Sequence, residues 1–497
     1  MNVRHALIRN TAWYAGVTAV GLVSGLLMSV ILARGLGPAL MGNLSYVIWV
    51  ERTLTAVATL GFTFATVRYT AEAFARDDAA AAGRVVRLFM RQQLVTTTLV
   101  TLVAAPLVLA AAADEVRAPL LVVVATLFLV TIEGIYTHAL QGAQRYDVTA
   151  RTSTIKMALQ LVVAVAAVRY GADLAMLLAG MALTLVVSCL IQRRRVLAIY
   201  GDALPATPAP MTPDVRAYLL PLSIVAVLDT IVWDRSEVFF LGLYATSEDI
   251  AYYSLAFGLA TRIMIVPGVA VGALLPAFSA LHGSNDPAEF GLLYHGALRY
   301  VALVGAPLAA MVAALAPALV QGLYGAAYLP AAPLVGVLAA VALLSALRQV
   351  AWAALRAVGD RRCALTATAV AAVVNVGLAA TLIPRWGPKG AVAANAAAQV
   401  TATVWAFAGM AHAHHVAFPA RDVGKAAAAG LLAWFVASTL AGEVPDLAGL
   451  VVAAAAGLSS FVLVCVPAGL LGMREWGLLT SGTRRLLAML APGAPTA

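Results

Sequence analysis

The sequence predicts an all-α polytopic membrane protein with about 14 transmembrane helices. Three observations carry that expectation. Hydrophobic residues make up 62% of the 497 and charged residues 11%, less than half of the roughly 25% with which a soluble domain covers its surface. The apolar residues fall in continuous runs of about 20, the length that crosses a bilayer core about 30 Å thick. Transmembrane barrel strands would instead alternate over about ten residues. Finally, basic residues cluster between alternate runs, as cytoplasmic loops do. Composition therefore excludes a soluble enzyme, a disordered chain and a nucleic-acid-binding domain, so nucleic acid is not an expected partner.

The runs lie at 11–33, 43–66, 88–112, 118–142, 148–168 and 172–192, and then at 217–243, 249–278, 293–314, 329–355, 363–384, 389–411, 424–441 and 446–471. Arg4 and Arg9 precede the first run as in a secretory signal. The run continues to Ala33, beyond an h-region of roughly 7–15 residues, and reads as a retained helix. Gly21 and Gly25 within it are spaced for close helix packing. With the N-terminus in the cytoplasm, both termini are cytoplasmic. Of the 32 Lys and Arg, 21 then lie in cytoplasmic segments, Arg348 among them, and 5 in outer ones. That asymmetry sets the orientation in a cytoplasmic membrane and accounts for the net charge of +9.

Between the sixth and seventh runs, GDALPATPAPMTP (201–213) is a semi-rigid proline-rich linker. The expected organisation is a six-helix bundle over 1–195, a cytoplasmic linker over 196–216, a second six-helix bundle over 217–415, and two extra helices with a tail over 416–497. The bundles look related. MGNLSYVIWVERT (41–53) follows the first run as IAYYSLAFGLATR (250–262) follows the seventh. ALQGAQRY (139–146) matches ALRAVGDRR (354–362), and the same offset sets Gln160 against Asn375. Repeats running in the same direction are related by an axis along the membrane normal and enclose a midplane site.

Ten ionisable residues are read as lying at depth within the runs: Glu51, Arg52, Glu133, Lys156, Asp229, Asp234, Arg235, Glu237, Arg262 and Arg299. Each costs roughly 2.5–3.5 kcal/mol at the bilayer centre, so each faces a cavity or a partner. Glu133 and Lys156 sit level on adjacent runs and are expected to form a structural ion pair. Glu51, Arg52, Asp234 and Arg235 lie at one depth and form a network if their helices line one cavity. Asp229, nearer mid-depth, is the candidate coupling group, a desolvated carboxyl able to carry a proton; hydrogen bonding to Ser or Tyr is the alternative. Arg52 and Arg262 occupy near-equivalent repeat positions. Their planar forks suit a diphosphate held bidentately, against which stands pairing with Glu51, Asp234 or Glu237. Arg299 is expected to snorkel to the interface. Cys189, Cys363 and Cys465 have no paired spacing, and His412, His414 and His415 read as solvated, so neither a metal nor another cofactor is expected. Nucleotide-binding and hydrolase motifs are lacking, which points to a transporter rather than an enzyme.

Several segments resemble the polysaccharide (lipid-linked oligosaccharide) flippases of the multidrug/oligosaccharidyl-lipid/polysaccharide exporter superfamily. They are RNTAWYAG…ILARGLGPALMGNLSYV (9–47), LGFTFATVRY (60–69), ALQGAQRYD (139–147), DRSEVFFLGLYATSEDIAYYSLA (234–256), LLPAFSAL (274–281), APALVQGLYGAAYLPAAPLVGVL (316–338) and GDRR…VVNVGLAATLIPRWGPKGAVAANA (359–396). The resemblance implies two six-helix bundles in a V around a central cavity, lined largely by the first, second, seventh and eighth runs. It implies translocation of an undecaprenyl-diphosphate-linked oligosaccharide from the inner to the outer leaflet by alternating access. Arg52, Arg262, Arg235, Glu51, Asp234 and Glu237 would then line the substrate cavity. The implied partners are the polyprenyl-diphosphate-linked glycan, membrane lipids, a polysaccharide polymerase and glycosyltransferases, with H+ or Na+ open as coupling ion. Lipid II flippases and cation-coupled multidrug antiporters of the same superfamily are the alternatives. The former tend to carry basic residues in the first run and the latter an acidic one; residues 11–33 contain neither. A membrane-embedded glycan enzyme would need sizeable outer loops, and the outer loops here are short.

Overall fold

The computed structural model of the chain describes residues 3–201, 207–219, 223, 235–265, 268, 271, 274–443 and 447–470. Among them every element is helical. In chain order these are α1 (Val3–Thr59), α2 (Phe62–Phe74), α3 (Ala79–Ala111), α4 (Asp114–Gly142), α5 (Tyr146–Tyr170), α6 (Leu174–Tyr200), α7 (Glu237–Tyr244), α8 (Ser247–Ile263), α9 (Leu274–Gly283), α10 (Pro287–Ala314), α11 (Ala316–Tyr324), a 3-10 turn (Ala326–Ala331), α12 (Ala332–Ala357), α13 (Arg361–Trp386), α14 (Pro388–Ala413), α15 (Ala420–Glu443) and α16 (Leu447–Cys465).

The protein is a membrane protein: among the described residues, 11 helical segments are long and apolar enough to span a bilayer. One of them, Ala12–Thr59, covers nearly all of the first expected run and the larger part of the second. The expected runs at 217–243 and 249–278 include residues outside the described set.

α1 differs from the expected pair of helices joined by a loop. It breaks only at Gly37, whose φ of 74° lies in the left-handed region that glycine adopts without steric cost. Pro38 follows at the start of the next arm, where its missing N–H is no loss. A second break falls inside the expected run 43–66. Leu60 and Gly61 take φ of 42° and 72°, and α2 restarts at Phe62. The carbonyls at this break are met by side chains. Ala58 O accepts from Gln93 Nε2 at 2.9 Å and from Thr96 Oγ1 at 2.6 Å, and Leu60 O accepts from Ser223 Oγ at 2.7 Å. An unmet backbone group in hydrocarbon costs several kcal/mol, so the interruption is built into the surrounding sequence.

The chain forms two compact units. The first comprises residues 1–255 and 372–395. Its helices alternate in direction as a bundle requires. α1 and α5 advance together through Trp13 with Arg151, Gly21 with Met157 and Gly35 with Val168. α4 and α6 do so through Glu133 with Ser188 and Thr137 with Gln192. Apolar side chains such as Leu32, Val47, Val124 and Leu177 fill one part of its core, and Phe62, Phe89, Ile135 and Tyr200 another.

The second unit comprises residues 256–371 and 396–497. Phe278, Tyr294, Leu298, Val350, Leu355 and Met410 lie in its core. α15 and α16 join that core. Ala426, Ala429, Ala433 and Ala437 are all at most 1% exposed, and Gly430 lies against Ala306. Small residues at these positions let helix backbones approach closely, the main source of helix attraction where lipid is as apolar as the side chains.

Candidate functional site

The second arm of α1 carries Glu51 and Arg52. Successive helical residues point about 100° apart, and here Glu51 is half-buried while Arg52 is exposed. Glu51 lies within electrostatic reach of both Arg52 and Lys156. The arm is fixed against α7 and the start of α8. At Gly42 an added Cβ would collide with the Ser247 backbone carbonyl, and Ser247 Oγ donates to Asn43 Oδ1 at 2.7 Å. Gly242 leaves room for the Tyr46 ring. Trp49 packs 6.2 Å from Tyr46 and 6.1 Å from Phe239, centroid to centroid.

Behind this arm a polar centre joins α4, α5 and α6. Lys156 Nζ donates to Glu133 Oε1 and Oε2 at 2.7 and 2.9 Å. Ser188 Oγ also donates to Glu133 Oε1. Gln192 Nε2 donates to Ser188 Oγ at 3.3 Å, and Thr137 Oγ1 donates to Gln192 Oε1 at 2.8 Å. Glu133 is 7% exposed. Its charge is met by one cation and one hydroxyl, the condition under which a buried carboxylate is tolerated.

Glu237, at the start of α7, stands differently from the expectation that it lines an open cavity. It is 0% exposed. Asn375 Nδ2 and Asn395 Nδ2 donate to its Oε1 at 2.7 and 3.0 Å, and Ser236 Oγ donates to Asn375 Oδ1 at 3.0 Å. Tyr253, also fully buried, lies beside it. The carboxylate is enclosed because two amides reach it from α13 and α14, within the first unit. Asn375 and Asn395 are functional candidates that the sequence reading passed over; two amides inside apolar runs were the available signal.

The remaining sequence candidates are scattered. Arg235 precedes α7, half-buried, with φ of 63°. Arg262 is half-buried in the last turn of α8 and belongs to the second unit, whereas Arg52 belongs to the first. Asp229 and Asp234 lie outside the described residues. Arg299 Nη2 donates to the carbonyls of Gly469 and Leu470 at 3.0 and 2.7 Å. Arg348 is 4% exposed within α12, donates from Nη2 to Gln399 Oε1 at 3.2 Å, and stacks 4.0 Å over the Trp352 ring. His414 Nε2 lies 3.3 Å from Asp360 Oδ2. Among the described residues, no group of three or more His, Cys, Asp and Glu is placed to hold a metal ion.

Solved structures share this helical arrangement. A lipid II flippase, MurJ, in an inward closed conformation superposes with a TM-score of 0.71 at 14% identity, covering 91% of this chain and 97% of that one. An inward-facing multidrug resistance MATE family transporter of the MOP superfamily gives 0.66 at 16%, covering 77% and 93%. A MOP superfamily transporter from Pyrococcus furiosus gives 0.57 at 16%, covering 81% and 94%. The fold is thus that of the MOP transporters. No curated protein matches the chain in sequence. The model of the family described as polysaccharide biosynthesis protein matches residues 7–282, more than half of the chain, and the protein belongs to that family.

Proposed function

We propose that the protein is a flippase that carries an undecaprenyl-diphosphate-linked oligosaccharide from the inner to the outer leaflet of the cytoplasmic membrane by alternating access, both termini being cytoplasmic. The observation that carries this reading is Arg52. It is an exposed arginine within a segment long and apolar enough to span a bilayer, on an arm packed against α7, in a chain of the polysaccharide biosynthesis family. A guanidinium fork matches phosphate oxygens bidentately, and Arg262 supplies the repeat counterpart. The physical task is to let a charged, hydrated headgroup cross hydrocarbon while its lipid tail stays in the bilayer. Arginines that replace part of the lost hydration perform it. A glycosyltransferase supplies the lipid-linked glycan and a polymerase consumes it.

Glu237 joins Asp229 as a candidate coupling group. A carboxylate enclosed with neutral amide donors changes its energy strongly when a proton or a sodium ion arrives. E237Q keeps the shape and removes the charge. We expect it to abolish acceleration of transport by an imposed proton or sodium gradient; an unaltered gradient response would remove Glu237 from the coupling role.

Purified protein in liposomes should move a fluorescent undecaprenyl-diphosphate oligosaccharide between leaflets. Movement of lipid II alone would assign the chain to the lipid II alternative, and cation-driven dye efflux without lipid movement to the antiporter alternative.

A further inference from the structure

We propose that Phe64, Arg68 and Glu72, on the exposed face of α2, form a subsite for sugar rings of the glycan, with Tyr218 as the residue that positions Arg68. The inference rests on the reading that the chain carries a lipid-linked oligosaccharide, and it gives the sugars a place apart from the diphosphate at Arg52.

α2 buries Phe62, Ala65, Thr66, Thr70 and Ala73, and its only charged residues are Arg68 and Glu72. Steps of four residues set Phe64, Arg68 and Glu72 in one stripe, each about 6 Å beyond the last. Phe64 is 57% exposed, and the side chains of Arg68 and Glu72 are 48% and 42% exposed. Two charges make the stripe a wet one, so the Phe64 ring shares a face with water-seeking groups. Its neighbour His138 meets it edge to face, 6.4 Å between centroids.

Arg68 is held in one pose. Its Nε donates to Glu72 Oε1 at 2.9 Å, and its Cζ lies 4.4 Å from the centroid of the Tyr218 ring and 5.3 Å from that of Tyr69. These rings stand on an aromatic ladder. Tyr69 meets Tyr218 edge to face at 5.9 Å and stacks on Phe89 at 6.2 Å, and Phe89 contacts Phe62 at 6.1 Å. Val215 and Leu219, on either side of Tyr218, are buried in the same core. A long side chain fixed in this way has already lost the rotamer freedom that binding would otherwise cost.

The chemistry left over is that of a sugar site. Arg68 has five N–H donors, of which one goes to Glu72, and Glu72 has a second oxygen. A donor and an acceptor fixed side by side match two neighbouring hydroxyl groups, each of which donates and accepts. A phosphate fits worse, because the charge of Glu72 repels it. An aromatic ring beside the pair covers the apolar C–H face of a pyranose. Arg52 and Arg68 are 16 residues apart on consecutive helical segments, about 24 Å at helical rise and less where the break at Leu60–Gly61 bends the path. A chain of sugars spans that distance and a diphosphate does not.

Binding of two fluorescent lipids to the full-length protein tests the subsite: undecaprenyl diphosphate, and the same lipid bearing the oligosaccharide extracted from the source cell's membranes. Wild type should bind the glycosylated lipid more tightly. R68A and E72A should each weaken that binding roughly 10-fold, and F64A to a lesser degree, while all three bind the bare lipid as wild type does. R68K keeps the charge but not the planar fork and should behave as R68A. Y218L should show a smaller loss in the same direction, restored in Y218F. The ratio of two affinities on one preparation is the readout, so a partly unfolded variant does not imitate the result. Wild-type selectivity in R68A and E72A, or equal weakening of both lipids, overturns the subsite. Equal affinity of wild type for the two lipids also overturns it and leaves the diphosphate reading standing, whereas binding of neither lipid removes both.

Discussion

Gly42 shows what a single atom does in this protein. An added methyl group there meets the carbonyl of Ser247, a backbone atom that cannot swing aside, whereas the same methyl at Gly16 meets open space. Overpacking of this kind costs about 1–3 kcal/mol. G42A is therefore expected to lower the melting temperature and G16A to leave it unchanged; equal behaviour of the two variants would show that the α1 arm is not seated on α8 as described. Asp360 gives a second residue-scale expectation. Its carboxyl is held below the usual carboxylate value of 3.8, first by the Cys363 backbone N–H it caps at the start of α13 and then by His414. A depressed value in the folded state means that the stabilisation is present above the unfolded value and is lost as pH falls through the folded one. D360N should melt below wild type near neutral pH, with the gap closing in acid beneath 3.8. A gap that is constant in acid would remove the cap from the account. At this scale the sequence was legible in part. Glu133 and Lys156 stood level on adjacent runs, which placed them side by side. The enclosure of Glu237 was hidden, because its amide partners come 138 and 158 residues later.

The helices themselves were readable from continuous hydropathy, and their interruptions were not. Hydropathy averages over a window, and Leu60–Gly61 is as apolar as its neighbours. The break became visible through positive φ and through the side chains that serve its carbonyls. Removing those donors with Q93L and T96V together leaves Ala58 O unmet, at a cost of about 1–3 kcal/mol. A clear fall in melting temperature is expected, and no fall would mean that α1 closes over the break. The offset that sets Gln160 against Asn375 sets Glu133 against Arg348. Each is buried and bonded to another helix, Glu133 to Ser188 on α6 and Arg348 to Gln399 on α14. Both positions thus hold a buried charge, of opposite sign.

For the whole molecule, composition alone sufficed to exclude a soluble protein, because 11% charged residues cannot cover a water-facing surface. The order of weak segment similarities pointed to a polysaccharide flippase family, and the family match over residues 7–282 places the chain in the polysaccharide biosynthesis protein family. The division into compact units was beyond sequence reading. Residues 372–395 belong with the first unit although they lie far along the chain, and this exchange follows from the amides that Asn375 and Asn395 bring to Glu237. The central claim is that Arg52 and Arg262 carry the diphosphate headgroup. Its most direct test is the rate of leaflet exchange of a fluorescent undecaprenyl-diphosphate oligosaccharide in liposomes holding wild type, R52A, R262A or the double variant. A lost charge-assisted hydrogen bond of about 1.5–3 kcal/mol predicts slowing of roughly 10- to 100-fold in each single variant and more in the double. Exchange at the wild-type rate in the double variant would contradict the claim.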